Sequence, residues 1–214
     1  SPSRTYVCDG YQKVGGSKIK CVAFSKGGHG TINICQALME SCNDALMQMG
    51  DVLGGKRFLK YVNDFGYGQK TGIDLPGEAT GKIFTEDTMR SADLATSSFG
   101  QSQTVTMVQM AAAFSSVVNG GYYYTPHVVK EIQNENGATV SEIETQPVHK
   151  VVTAETSKLL RGYLYKTVEE CTAKAAQVKG YKVGGKTGTA QKLPRSARKY
   201  LVSFIGSVPA DNPQ

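Results

Sequence analysis

One stretch near the end of the chain, GYKVGGKTGTAQK at residues 180–192, restricts the possible folds because it matches two incompatible local structures. From Gly180 to Thr187 it fits G-x-x-x-x-G-K-[ST], a glycine-rich loop that binds phosphate and opens a helix. From Lys186 to Gly188 it is a K-T-G tripeptide, which functions on a β-strand. A helix must therefore follow in the first case, and a strand must contain the motif in the second.

The residues after Thr187 argue against a phosphate-binding loop. They read GTAQKLPRSARK, so Gly188 would fall in the first helical turn and Pro194 would soon interrupt the helix. Such a protein also needs a later apolar strand that ends in a magnesium-binding aspartate, and only Asp211 remains, beyond Pro209. We therefore predict that KVGGKTGTAQ forms a strand.

The rest of the chain predicts an α+β fold. Capping boxes begin helices after Asn33 and Thr106, and Thr153 caps a helix over about 154–170. DALMQMGDVL and GKRFLKYVNDFG predict two further helices, whereas residues 67–102 are polar and turn-rich, which favours an irregular excursion. The predicted strands are TYVC and SKIKCVAF in a hairpin region over 5–24, YYYTPHVVKEI, ATVSEIE, YKVGGKTGTAQ and KYLVSFIGSV. Helices that enclose late strands are typical of an α+β fold whose last hairpin carries the K-T-G tripeptide.

Composition excludes several classes of protein. The 214 residues are 40% hydrophobic and 20% charged, which is typical of a globular domain. No apolar run is long enough to span a membrane, and SPSRTYVC is not a signal peptide, so we expect any anchor outside this chain. The net charge of +6 favours contact with anionic surfaces such as lipid head groups. Nucleic acid is not an expected partner, because the basic residues are scattered without interleaved aromatic residues.

The K-T-G strand offers a set of groups suited to acyl transfer. Lys186 supplies a positive charge and can relay a proton, while the hydroxyls of Thr187 and Thr189 can bind a substrate carboxylate. A backbone N–H of the strand can stabilise an oxyanion, and Gly185 and Gly188 allow the substrate to approach the backbone. Since three common residues recur by chance, the tripeptide needs partners elsewhere in the chain.

Ser41-Cys42-Asn43 is the candidate partner, an S-x-N tripeptide between two predicted helices. Ser41 would shuttle a proton, and Asn43 would hold the substrate amide or a neighbouring lysine. The alternative is a simple helix cap, which the tripeptide alone favours. Its combination with KTGTA, in this order along the chain, favours the catalytic interpretation.

Three segments together resemble the transpeptidase domain of class B penicillin-binding proteins: GGHGTINICQALMESCN, SFGQSQTVTMVQMAAAFSSVVNGG and VGGKTGTAQ. The cysteine-rich start most resembles Gram-positive members, including sporulation-specific ones. The resemblance implies a β-lactamase/transpeptidase-like sheet flanked by helices, with an all-helical subdomain. It also implies a D,D-transpeptidase that cross-links peptidoglycan stem peptides ending in D-Ala-D-Ala and is acylated by β-lactams. Ser41, Asn43 and Lys186 are then the catalytic residues present, and Thr187, Gly188 and Thr189 bind substrate.

The family's nucleophile motif, S-x-x-K on a helix, has one match, 17-SKIK-20. We expect this match to be false, because the segment alternates like a strand and would place Ser17 and Lys20 on opposite faces. We therefore expect residues 1–214 to be the C-terminal portion of a transpeptidase domain, truncated at both ends and inactive alone without the upstream S-x-x-K segment.

Cys8, Cys21, His29 and Cys42 form a candidate metal site of three thiolates and one imidazole. Cys8 and Cys21 flank one predicted hairpin, His29 lies in a glycine-rich loop, and Cys42 is part of the S-x-N tripeptide. A tetrahedral structural zinc is the sharpest hypothesis, and no cofactor is expected for catalysis. A Cys8–Cys21 disulfide and unconnected thiols remain open alternatives.

Other functions share these motifs. A serine β-lactamase or D,D-carboxypeptidase would need a water-activating Glu, and none can be assigned. A non-catalytic, zinc-stabilised scaffold for wall or division proteins is the alternative outside enzymes. The expected partners are peptidoglycan stem peptides or their lipid-linked precursor, β-lactams and a wall glycosyltransferase, at the extracytoplasmic face of the cell membrane.

Overall fold

The structure is a computed structural model that describes residues 2–192 and 194–213. Its helices are α1 (Ile34–Met39), α2 (Asn43–Leu53), α3 (Gly55–Asp64), α4 (Ser91–Ser97), α5 (Met107–Val118) and α6 (Ala154–Glu170). Its strands are β1 (Thr5–Cys8), β2 (Tyr11–Val14), β3 (Ser17–Lys20), β4 (Gly30–Asn33), β5 (Tyr122–Tyr124), β6 (Glu131–Gln133), β7 (Thr139–Glu142), β8 (Pro147–Lys150), β9 (Gly184–Gln191) and β10 (Tyr200–Ser207). The predicted α+β class is confirmed.

The helices begin where the capping residues predict. Asn33 and Thr106 each form a complete capping box at the start of α1 and α5, and the Thr153 side chain caps α6. The helix boundaries were predictable because a capping side chain satisfies backbone N–H groups that have no partner within the helix. Helices α2, α3 and α4 pack on one another and correspond to the predicted helical subdomain.

The predicted terminal hairpin is also present. Strand β9 pairs antiparallel with β10 over eight residues each, and Lys186 lies opposite Ile205. Helix α6 packs against β9, where the buried Val168 meets Val183 just before the strand. Because the residues after Thr187 continue as a strand to Gln191, the rejection of the phosphate-binding loop is confirmed.

The strands elsewhere depart from the sequence predictions. Within the described residues they form two-stranded antiparallel pairs rather than one broad sheet, and β1 pairs with β4, a strand that was not predicted. The segment YYYTPHVVKEI is split into β5 and β6, because Pro126 lacks an N–H and the Asp74 carboxylate accepts from the N–H groups of Val128 and Val129 at 2.8 Å. The excursion 67–102, predicted as irregular, contains α4.

A small core joins the N-terminal strands to α1 and α2. It consists of buried residues from both regions: Tyr6, Cys8, Cys21, Ala23, Ile32, Ala37, Cys42 and Ala45. The hairpin β2–β3 projects from this core, and its strand β3 contains 17-SKIK-20, as expected for a false S-x-x-K match. In the described parts of the chain, we find no helix with the length and apolar character needed to cross a membrane.

Candidate active site

Ser41 and Lys186 meet although they are 145 residues apart. The Lys186 ammonium donates a hydrogen bond to the Ser41 hydroxyl at 2.5 Å and another to the Thr187 carbonyl at 2.9 Å. Both side chains are half-buried. The fold therefore brings the S-x-N and K-T-G tripeptides to one place, which is what the catalytic interpretation of the sequence requires.

The junction between α1 and α2 explains the conformation of Ser41. The N–H of Ser41 donates to the Leu38 carbonyl, and the N–H of Cys42 donates to the Ala37 carbonyl at 2.9 Å. This pair of bonds is a Schellman motif, whose terminating residue adopts the left-handed conformation and is usually glycine. Ser41 occupies that position with φ of 51°. The helix-cap interpretation is therefore confirmed for Ser41, and the same conformation leaves its hydroxyl facing Lys186, so the two interpretations are compatible.

The remaining residues of the tripeptide begin α2. Cys42 is the N-cap, and its sulfur accepts a hydrogen bond from the Ala45 N–H at 3.4 Å. Asn43 is the first helical residue, and its side-chain amide donates to the Lys20 carbonyl on β3 at 3.4 Å. Asn43, two residues after Ser41, is therefore held against the hairpin β2–β3.

Burial lowers the pKa of Lys186, and the nearby Cys171 opposes this shift. Desolvation disfavours the ammonium form, so the proton of this lysine is easier to release than that of an exposed lysine. A lysine with a lowered pKa and a hydroxyl partner is suited to proton transfer between nucleophile and leaving group.

The glycines of β9 also pack closely against β10. A Cβ atom at Gly185 would clash with the Phe204 ring, and one at Gly188 would lie 2.7 Å from the Ser203 hydroxyl. Close packing against β10 is therefore a second reason for glycine at both positions, beside the predicted approach of substrate. Thr187 and Thr189 lie on one face of β9 by the two-residue period of a strand, and Thr189 is the more exposed.

The sequence did not reveal how the end of α6 supports this site. The Thr172 hydroxyl donates to the Met39 carbonyl at 2.8 Å, and the Cys171 thiol donates to the Glu40 carboxylate at 3.3 Å. Met39 and Glu40 immediately precede Ser41, so these bonds anchor the junction to the end of α6. No sequence pattern indicated that Cys171 has a partner 131 residues away.

The four residues of the predicted metal site converge at the S-x-N tripeptide, which contributes Cys42. The ligand atoms of Cys8, Cys21, His29 and Cys42 all lie within 4.8 Å of one another, and the three sulfurs belong to buried residues. The sulfurs of Cys21 and Cys42 are 3.8 Å apart. His29 Nδ1 lies 3.5 Å from the Cys8 sulfur and 3.7 Å from the Cys21 sulfur. All five cysteines are free thiols, so the Cys8–Cys21 disulfide is not present.

The pKa values of the three thiols in this cluster are shifted in different directions. A hydrogen bond between Cys21 and Cys42, supported by backbone N–H groups that include that of Ala23, lowers the pKa of Cys21 to about 4. The same hydrogen bond with Cys21 raises the pKa of Cys42, and burial raises the pKa of Cys8. These shifts favour the thiolate form at Cys21 and the thiol form at Cys8 and Cys42.

A groove lies away from the metal site and from the Ser41–Lys186 contact. It has a volume of about 940 Å³ and lies between α3 and residues 81–86. None of the predicted catalytic, substrate-binding or metal-binding residues lines it. We place the candidate active site at the Ser41–Lys186 contact, because the chemically suited side chains meet there.

A family model for the penicillin binding protein transpeptidase domain matches residues 1–214. The chain belongs to this family. It is 42% identical over 208 residues to Stage V sporulation protein D of Bacillus subtilis (strain 168), covering 95% of this chain and 32% of that protein. It is 31% identical over 187 residues to Penicillin-binding protein PbpB of Mycolicibacterium smegmatis, covering 82% of this chain and 29% of that protein.

The solved structures agree with the fold. Penicillin binding protein 3 of Mycobacterium tuberculosis, complexed with aztreonam, matches with a TM-score of 0.88 and 27% identity, over 100% of this chain and 50% of that one. The resemblance to class B penicillin-binding proteins and to their sporulation-specific members is confirmed, as is the transpeptidase-like fold. The chain spans about a third of the length of the curated relatives it matches.

Proposed function

We propose that the protein containing this chain is a peptidoglycan D,D-transpeptidase that cross-links stem peptides through a serine acyl-enzyme and is inhibited by β-lactams. The contact between Lys186 and Ser41 is the observation that carries this proposal, because it joins two motifs of the family into one proton-transfer pair. Membership in the transpeptidase family and the β-lactam complexes of the structural relatives support it.

In the proposed reaction, a serine hydroxyl attacks the carbonyl carbon between the two D-Ala residues. Its proton passes through the Lys186–Ser41 pair to the departing amine of the terminal D-Ala, which leaves as the peptide bond breaks. The amine of a second stem peptide then attacks the resulting ester, loses its proton and restores the serine. Thr187 and Thr189 bind the terminal carboxylate, Gly188 lies beside it on β9, and Asn43 binds the substrate amide.

We assign the acylated serine to a segment outside this chain, as the sequence predicted. Within the chain, Ser17 and Lys20 lie on strand β3, where residues three apart point to opposite faces. Ser41 already serves as a partner of Lys186 in the proposed proton transfer. Residues 1–214 alone are then expected to be inactive.

Peptide mapping by mass spectrometry tests this proposal. The full-length protein is exposed briefly to a penicillin and digested, and the acylated residue is identified. An adduct on a serine that precedes Ser1 supports the proposal in full. An adduct on Ser17 or Ser41 keeps the chemistry and overturns the assignment of the nucleophile. A folded protein with no adduct overturns the enzymatic function and favours a non-catalytic scaffold.

We also propose that the protein builds wall specifically during sporulation, at the extracytoplasmic face of the cell membrane and together with a wall glycosyltransferase. The similarity to Stage V sporulation protein D supports the first part. Deletion of the gene should reduce the yield of heat-resistant spores and leave vegetative growth unchanged.

Detergent extracts of sporulating cells should contain the protein in a complex with a membrane glycosyltransferase, and its recovery alone in the soluble fraction would contradict the proposed location and partner.

We propose that Cys8, Cys21, His29 and Cys42 bind one structural zinc ion. A tetrahedral site with Zn–S distances near 2.3 Å and a Zn–N distance near 2.0 Å has edges of about 3.8 Å between sulfurs and about 3.5 Å between sulfur and nitrogen. The Cys21–Cys42, Cys8–His29 and Cys21–His29 separations of 3.8, 3.5 and 3.7 Å fit these values. Zinc would cross-link the start of α2 to the N-terminal strands.

Metal content tests the zinc proposal without reference to activity. The purified full-length protein should contain about one zinc per chain. Cys8→Ser should reduce this content sharply, while Cys35→Ser, a change of the same kind at a half-buried thiol on α1, should leave it unchanged. Metal-free wild-type protein with free thiols, or with a Cys8–Cys21 disulfide, would overturn the proposal.

A further inference from the structure

Asp44, the residue after the S-x-N tripeptide, is fully buried. Its carboxylate accepts hydrogen bonds from the Gln12 side chain at 2.6 Å, the Gln48 side chain at 2.8 Å and the Gly10 N–H at 3.3 Å. A buried charge is costly unless such partners surround it. The position in the first turn of α2 adds the favourable field of the helix N-terminus. Asp44 is therefore held closely in one place.

The donors to Asp44 come from the N-terminal strands as well as from α2. Gly10 lies in the turn between β1 and β2, and Gln12 lies on β2. The Gln48 amide, one helical turn beyond Asp44, also donates to the Val7 carbonyl of β1 at 2.7 Å. This polar network connects the first turn of α2 to two strands, while the adjacent Asn43 is bonded to a third, β3.

We propose that Asp44 is a positioning residue for acyl transfer: its bonds to Gly10 and Gln12 hold Asn43 in register with Lys186 on β9. The inference rests on the proposed function. Asn43 and Asp44 are consecutive in one helical turn, so Asn43 cannot shift without stretching the bonds of a buried carboxylate. A displacement of the order of 1 Å at a catalytic group costs up to about a hundredfold in rate, which makes such a constraint effective.

Asp44→Asn is the direct test, because it keeps the size of the side chain and replaces one acceptor oxygen by a donor. At least one of the three N–H groups that face Asp44 then loses its acceptor. We expect the full-length protein to be acylated by a fluorescent penicillin about tenfold more slowly, through the rate of the chemical step rather than penicillin binding. Asp51→Asn, the same change at an exposed position of α2, should leave the rate unchanged.

A double-mutant comparison separates positioning from a general loss of stability. Asn43→Ala should slow acylation by itself, and if Asp44 acts through Asn43, adding Asp44→Asn to this background should slow it little further. Asp44→Asn with a wild-type rate, or effects of the two changes that multiply fully, would overturn the inference. All rates are measured below the melting temperature of each variant.

If Asp44→Asn does not fold, a milder variant tests the positioning role of Asp44. Gln12→Met removes one donor at the strand end of the network and leaves the carboxylate with its other partners. Slower acylation of Gln12→Met supports the inference, and a wild-type rate overturns it. Failure of the wild-type protein itself to be acylated is a separate outcome, which overturns the proposed function and this inference with it.

Discussion

The candidate site has two walls that are built in opposite ways. The S-x-N wall, residues 41–44 with the other three metal-site residues, is held by buried side chains, and Cys42 and Asp44 are both 0% exposed. The K-T-G wall, β9 with β10, is held by the backbone ladder of a hairpin. Its partner strand exposes apolar side chains such as Val202 at 74% and Phe204 at 45%.

This difference teaches which substitutions each wall tolerates. Side chains from distant segments determine the position of the S-x-N wall, so single substitutions there remove bonds that nothing replaces. The position of the K-T-G wall depends on strand register and on glycines that admit β10, so most of its side chains can change. The exceptions are the proposed substrate-binding residues Thr187 and Thr189, and Lys186, whose ammonium group joins the two walls.

The largest effect is expected at Lys186. Lys186→Met should slow acylation of the full-length protein by a penicillin about 10³-fold, because it removes the proton-relay group and the bond to Ser41. Lys192→Met, at an exposed lysine directly after β9, serves as the matched control and should acylate normally. Equal acylation of both variants would show that the Ser41–Lys186 contact has no catalytic role.

The two walls should differ in thermal stability when substituted. Cys8→Ser, in the S-x-N wall, should lower the melting temperature by about 8 °C, since it disrupts the buried sulfur cluster. Val202→Thr, in the K-T-G wall, should change it by no more than about 1 °C, because the side chain is exposed. Thermal unfolding followed by circular dichroism measures both, and similar losses would contradict the comparison.

A smaller effect is expected from the left-handed backbone at Ser41. Ser41→Gly and Ser41→Ala both remove the hydroxyl that faces Lys186, but only glycine relieves the conformation at φ of 51°. The glycine variant should therefore have a free energy of unfolding about 1 kcal/mol higher than the alanine variant. Urea denaturation of the two proteins gives this difference, and a more stable alanine variant would show that Ser41 carries no strain.

The smallest expected effect is a change in the free energy of unfolding with pH. Burial holds the pKa of Lys186 below 10.5 in the folded state, while the unfolded chain keeps the ordinary value. Between these two values the unfolded state binds more protons, so the free energy of unfolding rises with pH. Wild-type protein should gain stability relative to Lys186→Met as the pH rises toward 10.5 in urea titrations. A relative loss over this range would show that the folded state favours the charged lysine.

Local patterns in the sequence were sufficient for much of the fold. The caps at Asn33, Thr106 and Thr153 identified three helices, and Pro194 with Gly188 excluded a helix after the K-T-G tripeptide. Predictions failed where a distant residue competed for the backbone, as Asp74 does with the strand after Tyr124. Propensity within a short window cannot include such a partner.

For the candidate site too, the sequence determined some features and contacts between distant segments determined the others. The sequence by itself determined the chemical groups: Ser41, Asn43, Lys186, and three cysteines with a histidine near the S-x-N tripeptide. Only the tertiary structure decided that the Lys186 ammonium reaches Ser41, that the end of α6 braces this junction, and that Asp44 is buried. An aspartate in the first turn of a helix is ordinarily a surface partner of the helix dipole. Its burial depends on donors from other segments, and the folded chain supplies them.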